Sequence, residues 1–170
     1  WPTFGDENGE VGYGDGVYRF AFYQPGGFNS IWTEDAYTDF IIETKVCTSS
    51  TIPAIGAGFS LRASEDQWYL FWVLPATGEY SFSRGTNTEP TDIIPLTHSN
   101  VIQPYPGAGG SLCLSIKAAA HGDTFDFWVA GANGNYQHLA SANDSKYQSG
   151  AVGISASSPW TSFSPSPVEA

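Results

Sequence analysis

Apolar and polar residues alternate with a period of two along most of this chain, and the alternating runs are separated by clusters of Gly, Pro, Asn and Asp. That pattern predicts an all-β, antiparallel domain. The clearest strands are expected over Val17–Tyr23, Asp39–Val46, Ala57–Arg62 and Trp68–Leu74, then over Glu79–Arg84, Leu112–Ala118, Thr124–Val129 and Ala151–Ser155. Turn chemistry fills the gaps, as in Pro25-Gly26-Gly27, Ala76-Thr77-Gly78, His121-Gly122-Asp123 and Asn133-Gly134-Asn135. Between Gly85 and Gly110, Ile93, Ile94, Leu96, Val101 and Ile102 are too apolar for a free linker, so a short core-closing strand is expected there. The Pro- and Ser-rich stretch 157–170 is expected to lie outside the sandwich as a tail or a lead to a neighbouring domain, leaving residues 1–156 as one β-domain.

Alternation also sorts the two sides of each strand. One parity collects Tyr18, Phe20, Phe22, Phe40, Ile42 and Val46, and further along Phe59, Leu61, Tyr69, Phe71, Val73, Tyr80, Phe82, Phe125, Phe127 and Val129. These residues are the expected core. The other parity collects Arg19, Tyr23, Glu43, Lys45, Ser60, Arg62, Trp68, Trp72, Ser81, Ser83, Asp126 and Trp128. Indoles mixed with charges are unusual on an ordinary outer face.

At 170 residues the chain fits one domain able to bury most of its apolar surface without a metal or cofactor. A net charge of -11 argues against nucleic acid and anionic membrane surfaces, both of which need clustered Lys and Arg. No apolar run is long enough to span a bilayer, and the start at Trp1 fits a mature product or an excised fragment. Cys47 and Cys113 are not in a Cys-x-x-Cys pair, so a structural disulfide is preferred over metal binding and over two buried thiols, which places the chain in a secreted, extracellular setting. Asn143-Asp144-Ser145 matches the N-glycosylation pattern and marks an exposed loop.

The stretches Asp15-Gly16-Val17-Tyr18-Arg19-Phe20, Thr38-Asp39-Phe40-Ile41-Ile42-Glu43, Gly58-Phe59-Ser60-Leu61-Arg62, Trp68-Tyr69-Leu70-Phe71, Gly78-Glu79-Tyr80 and Gly150-Ala151-Val152-Gly153-Ile154 occur in that order. In this order the chain resembles the concanavalin A-like lectin/glucanase jelly rolls, particularly the laminin-G-like and 3-keto-disaccharide hydrolase (family 16-like) extracellular modules. The resemblance implies a two-sheet jelly-roll sandwich whose concave face or loop rim binds carbohydrate in many members. It departs in the Gly131-Ala132-Asn133-Gly134 hairpin and over Pro159–Val168. One activity does not follow, because related folds serve enzymes, lectins and adhesion modules.

Glycoside hydrolysis needs two carboxyl groups flanking the bond, and the Glu-x-Asp-x-x-Glu strand of the related glucanases is missing from this sequence. A nucleophilic hydrolase has no Gly-x-Ser-x-Gly elbow, and His98, His121 and His138 all fall in expected loops or turns without a zinc spacing. No cofactor is expected; calcium is considered only at the acidic turn Asp6-Glu7-Asn8-Gly9-Glu10. Indole faces stack on sugar C–H faces while carboxylates and guanidinium groups hold hydroxyls, so Trp68, Trp72 and Trp128 with Arg62 and Glu43 form the candidate ligand site. The leading expectation is a non-catalytic, lectin-like glycan-binding module. The alternatives are a structural or adhesion subunit whose tryptophans bury against neighbouring copies, and a glycan-processing hydrolase.

Overall fold

The computed structural model describes residues 4–5, 9–14, 17–23, 26–49, 55–86, 90–158 and 167–169. In chain order the strands begin with β1 (Phe4–Gly5), β2 (Gly9–Gly14), β3 (Val17–Phe22), β4 (Phe28–Trp32) and β5 (Phe40–Ser49). They continue with β6 (Gly56–Ala63), β7 (Trp68–Leu74), β8 (Glu79–Gly85), β9 (Pro90–His98) and β10 (Tyr105–Pro106). The last are β11 (Ser111–His121), β12 (Thr124–Ala130), β13 (Gln137–Asn143), β14 (Ala151–Ser157) and β15 (Pro167–Glu169). Helix is confined to one 3-10 turn at Ala108–Gly110 among the described residues.

Two antiparallel sheets result. One is nine-stranded, ordered β1-β2-β3-β15-β5-β11-β12-β13 with β10 on β11; the other is six-stranded, ordered β4-β14-β6-β7-β8-β9. Each strand turns one parity inward, and the inward side chains interleave between the sheets. Phe71 of β7 stacks on Phe127 of β12 with centroids 4.1 Å apart and planes at 8°, while Phe82 of β8 meets Phe125 and Phe127 at 5.0 and 4.8 Å. Phe20, Phe59, Phe71, Phe82, Phe125 and Phe127 are fully buried. Phe40 and Ile42, nearer the rim, are partly buried against the same core. The β11–β12 hairpin turns through Gly122 at φ 55°, a left-handed conformation that glycine adopts without a Cβ penalty.

Cys47 and Cys113 are bonded to each other, as direct register partners on β5 and β11. The apolar stretch after Gly85 does form a strand, β9, with Ile93 and Ile94 packed on the core. Three parts of the sequence reading are corrected. Pro167–Glu169, expected outside the sandwich, pairs with β3 and touches β5 in the nine-stranded sheet. His98 and His121 are the last residues of β9 and β11, and His138 lies within strand β13 rather than a loop, because β13 is an exposed edge whose outward residues hide the apolar alternation. Arg62 is in the interior, for a reason given below.

Candidate functional site

The sheet topology divides the expected ligand residues. Trp68 and Trp72 lie on the outer face of the six-stranded sheet, whereas Glu43 and Trp128 lie on the outer face of the nine-stranded sheet. The two faces of a sandwich point in opposite directions, so no single glycan contacts all four. Parity along a strand identifies the side away from the core, but not which of two sheets that strand joins.

Arg62 belongs to neither outer face. On β6, Leu61 and Arg62 together oppose one residue of β14, between the pairs Ser60↔Gly153 and Ala63↔Ala151. This extra residue is a β-bulge, and Arg62 takes φ 46°, the only non-glycine positive φ among the described residues. The bulge turns its side chain into the end of the sandwich, where it is fully buried with the guanidinium 4.9 Å from the Phe125 ring centroid. Four of its five N–H groups donate to backbone carbonyls: Nε and Nη2 donate to Thr38 O at 3.1 and 2.7 Å, Nη2 also to Gly122 O at 2.5 Å, and Nη1 to Tyr147 O at 2.9 Å. Burial lowers its pKa, but a guanidinium starts so far above neutrality that it stays charged. Arg62 fastens three loops and, being fully buried, is out of reach of a sugar on either outer face.

A second polar cluster closes the same end. Tyr69 donates to Asp144 Oδ1 at 2.7 Å, Arg84 pairs with the other oxygen of that carboxylate, and the Lys146 N–H donates to it at 2.9 Å. Burial alone would raise the Asp144 pKa, but the Tyr69 and Lys146 hydrogen bonds and the Arg84 charge outweigh it, and the pKa is lowered. Tyr69 is shifted far upward, first by burial and then by its bond to Asp144. The expected exposure of the Asn143-Asp144-Ser145 triplet thus holds for Asn143 and Ser145, while Asp144 is tied inward.

The six-stranded face is built from aromatic residues seated on glycines. A Cβ added to Gly85 would lie 2.6 Å from Cη2 and Cζ2 of Trp68, and one added to Gly56 would lie 3.4 Å from Cε3 of Trp72. Each indole therefore rests on the space that a missing side chain leaves on the neighbouring strand. Trp68 and Trp72, four residues apart on one strand, are about 13 Å apart along it. Phe28 of β4, 47% exposed, meets Trp72 edge to face at 5.7 Å. Beside them Ser30, Ser60 and Ser155 form a closed ring of hydroxyls, with Oγ separations of 2.5, 2.6 and 2.8 Å. Ser60 and Ser155 are buried although they point away from the core, as are Gly56, Gly58 and Gly153, so the small residues form a recessed floor. The outward positions of β6 and β7 hold Gly, Ser, Trp and Leu and no carboxylate.

The nine-stranded face is more charged. Register aligns Glu43, Lys117, Trp128 and His138 in one row across β5, β11, β12 and β13. Asp126, His138 and Ser141 also meet there, which invites comparison with a nucleophilic triad. One ring nitrogen, His138 Nε2, faces both Ser141 Oγ at 3.0 Å and Asp126 Oδ1 at 3.6 Å, and Ser141 donates directly to Asp126. A triad needs the two ring nitrogens to face hydroxyl and carboxylate separately, so these residues are a hydrogen-bond cluster.

The sequence reading missed Phe28, Ser30 and Trp32, although the alternation of Phe28, Ser30 and Trp32 around the buried Ile31 was available to signal β4. It also missed Tyr136, which lies just before β13 and carried no periodic signal. Among the described residues no group of three or more His, Cys, Asp or Glu side chains is placed to hold a metal. Asp6, Glu7 and Asn8 of the acidic turn lie outside the described residues.

No protein-family model matches the chain, and no curated protein matches it. Solved structures do. A carbohydrate-binding module, CBM66, from Bacillus subtilis superposes with a TM-score of 0.70 at 16% identity, over 99% of this chain and 91% of that one. A Bacillus licheniformis beta-glucanase gives 0.60 at 13% identity, over 94% and 78%. A Bacillus subtilis protein of unknown function with a galectin-like fold gives 0.60 at 12% identity, over 95% and 83%. The chain has the concanavalin A-like jelly-roll fold that the sequence resemblance implied.

Proposed function

We propose that this chain is an extracellular, non-catalytic carbohydrate-binding module that stacks a neutral glycan on the outer face of its six-stranded sheet. The observation that carries this reading is the pair of indoles, Trp68 and Trp72, seated on glycines beside a floor of serine hydroxyls. Both indoles stay partly exposed, which leaves apolar ring surface for a sugar C–H face. Within the serine ring Ser60 and Ser155 are buried and hold Ser30, which is partly exposed and keeps a lone pair that accepts from a sugar hydroxyl. The fold likeness to a carbohydrate-binding module and the disulfide are consistent with a secreted glycan-binding role.

The test is a glycan array followed by affinity electrophoresis in gels carrying the polysaccharide it selects. Removing an anchoring aromatic costs about 2 kcal/mol or more, so Trp72→Ala weakens retardation by roughly 30-fold while the melting temperature stays close to that of the parent. Trp128→Ala leaves retardation by the neutral glycan unchanged. A Trp72→Ala variant that instead dissolves an oligomer, with no glycan bound by the parent, assigns the face to assembly and overturns the reading.

A further inference from the structure

The outer face of the nine-stranded sheet takes no part in the function proposed above, yet it carries aromatic and cationic groups of its own. Lys117, in the middle of the row described above, holds its Nζ 4.8 Å from the Trp128 ring centroid and 4.6 Å from that of Tyr136. Lys45 faces Ser115 and is the diagonal neighbour of Lys117, at about 7–8 Å across the strands. Its Nζ lies 5.5 Å from the Tyr105 ring centroid. Both ammonium groups are thus pinned on aromatic rings.

Neither has a carboxylate within 4.0 Å among the described residues. In a chain with 17 acidic and 6 basic side chains, carboxylate partners are plentiful, and Glu43 is the register partner of Lys117. Glu43 instead acts on the Tyr136 hydroxyl, whose pKa is raised by burial first and by that carboxylate second. Two of the arginines are not available in this way, since Arg62 is buried and Arg84 is paired with Asp144. An ammonium has three donors and no acceptor, and a π face satisfies its charge only in part. Two such groups side by side suit an anionic ligand with an apolar ring face.

We propose that this face is a second carbohydrate-contact surface, and that it takes a uronate-bearing polysaccharide. Lys117 and Lys45 hold the carboxylates, and the sugar rings rest on the exposed parts of Trp128 and Tyr136. A uronate fits because its carboxylate is attached directly to the ring, so a ring resting on Trp128 brings its charge within reach of the ammonium that lies over the same indole. The two glycan faces point in opposite directions, so each operates without the other.

The experiment is affinity electrophoresis of the full chain in gels containing polygalacturonate, dextran sulfate or neutral dextran, at low and high salt. Polygalacturonate retards the parent, and salt weakens the retardation because the charges are exposed. Lys45→Gln/Lys117→Gln, which keeps the side-chain stems, loses roughly ten-fold or more of that affinity, while Trp72→Ala retains it. Circular dichroism melts of both variants matching the parent keep the comparison free of misfolding. The proposal is overturned by a parent that polygalacturonate does not retard, by a lysine double variant that binds as the parent does, or by dextran sulfate binding equally well, which marks simple attraction to polyanions. Loss of polygalacturonate binding in Trp72→Ala also overturns it, because the acidic glycan would then share the six-stranded face.

Discussion

Replacing Arg62 by Met keeps most of the side-chain stem and removes every donor. Three carbonyl oxygens, on Thr38, Gly122 and Tyr147, then lose a charge-assisted hydrogen bond, and the Phe125 ring loses its cation. Each such bond is worth about 1.5–3 kcal/mol net when buried. Thr38 and Gly122 are themselves exposed residues, so water recovers part of the loss at two of the three acceptors. The expected destabilisation is about 3–5 kcal/mol, in the range found when a buried charged network is broken. For a domain of this size that lowers the melting temperature by on the order of 10 °C. Arg62→Lys falls between, since one ammonium cannot reach three divergent carbonyls. Equilibrium urea unfolding gives the stabilities, and glycan affinity of folded Arg62→Lys at low temperature should equal that of the parent. A stability for Arg62→Met within about 0.5 kcal/mol of the parent refutes the bolt-like role assigned to the guanidinium, and a selective loss of glycan affinity returns Arg62 to the binding site.

Phe71→Ala removes one half of the inter-sheet stack with Phe127 and should cost about 3–5 kcal/mol in urea unfolding; a parent-like melt would mean that the β7 parity is wrong. Reducing Cys47–Cys113, which closes a 66-residue separation, should cost up to about 4 kcal/mol, read from the melting temperature with and without reductant. Because the Asp144 pKa is lowered in the folded state, its contribution is present above the ordinary carboxylate range and is lost as pH falls through the lowered folded value. Asp144→Asn should therefore be less stable than the parent near neutrality, with the gap closing below about pH 4; a gap independent of pH would show that its charge is not what matters.

The fold was legible because strong period-two alternation coincides with the core. Tyr69, Phe71 and Val73, and Phe125, Phe127 and Val129, all face inward as alternation requires. The site was legible only in part, for two physical reasons. Sheet membership depends on long-range pairing, so Trp72 and Trp128 share a parity but sit on opposite faces. A bulge shifts the parity locally, and nothing at Arg62 distinguishes a residue about to adopt positive φ from one that continues the strand. Short outer strands escaped for a related reason. In β4 the outward residues Phe28 and Trp32 are as large as a core residue, which blurs the contrast that alternation relies on.

The most direct measurement of the central claim is a titration of the tryptophan-labelled chain with its neutral glycan, following each indole N–H by NMR. The Trp68 and Trp72 signals should shift in proportion to occupancy while the Trp128 signal stays fixed, since Trp128 lies on the opposite face. A shift confined to Trp128, or no shift of Trp72 at saturation, contradicts that claim.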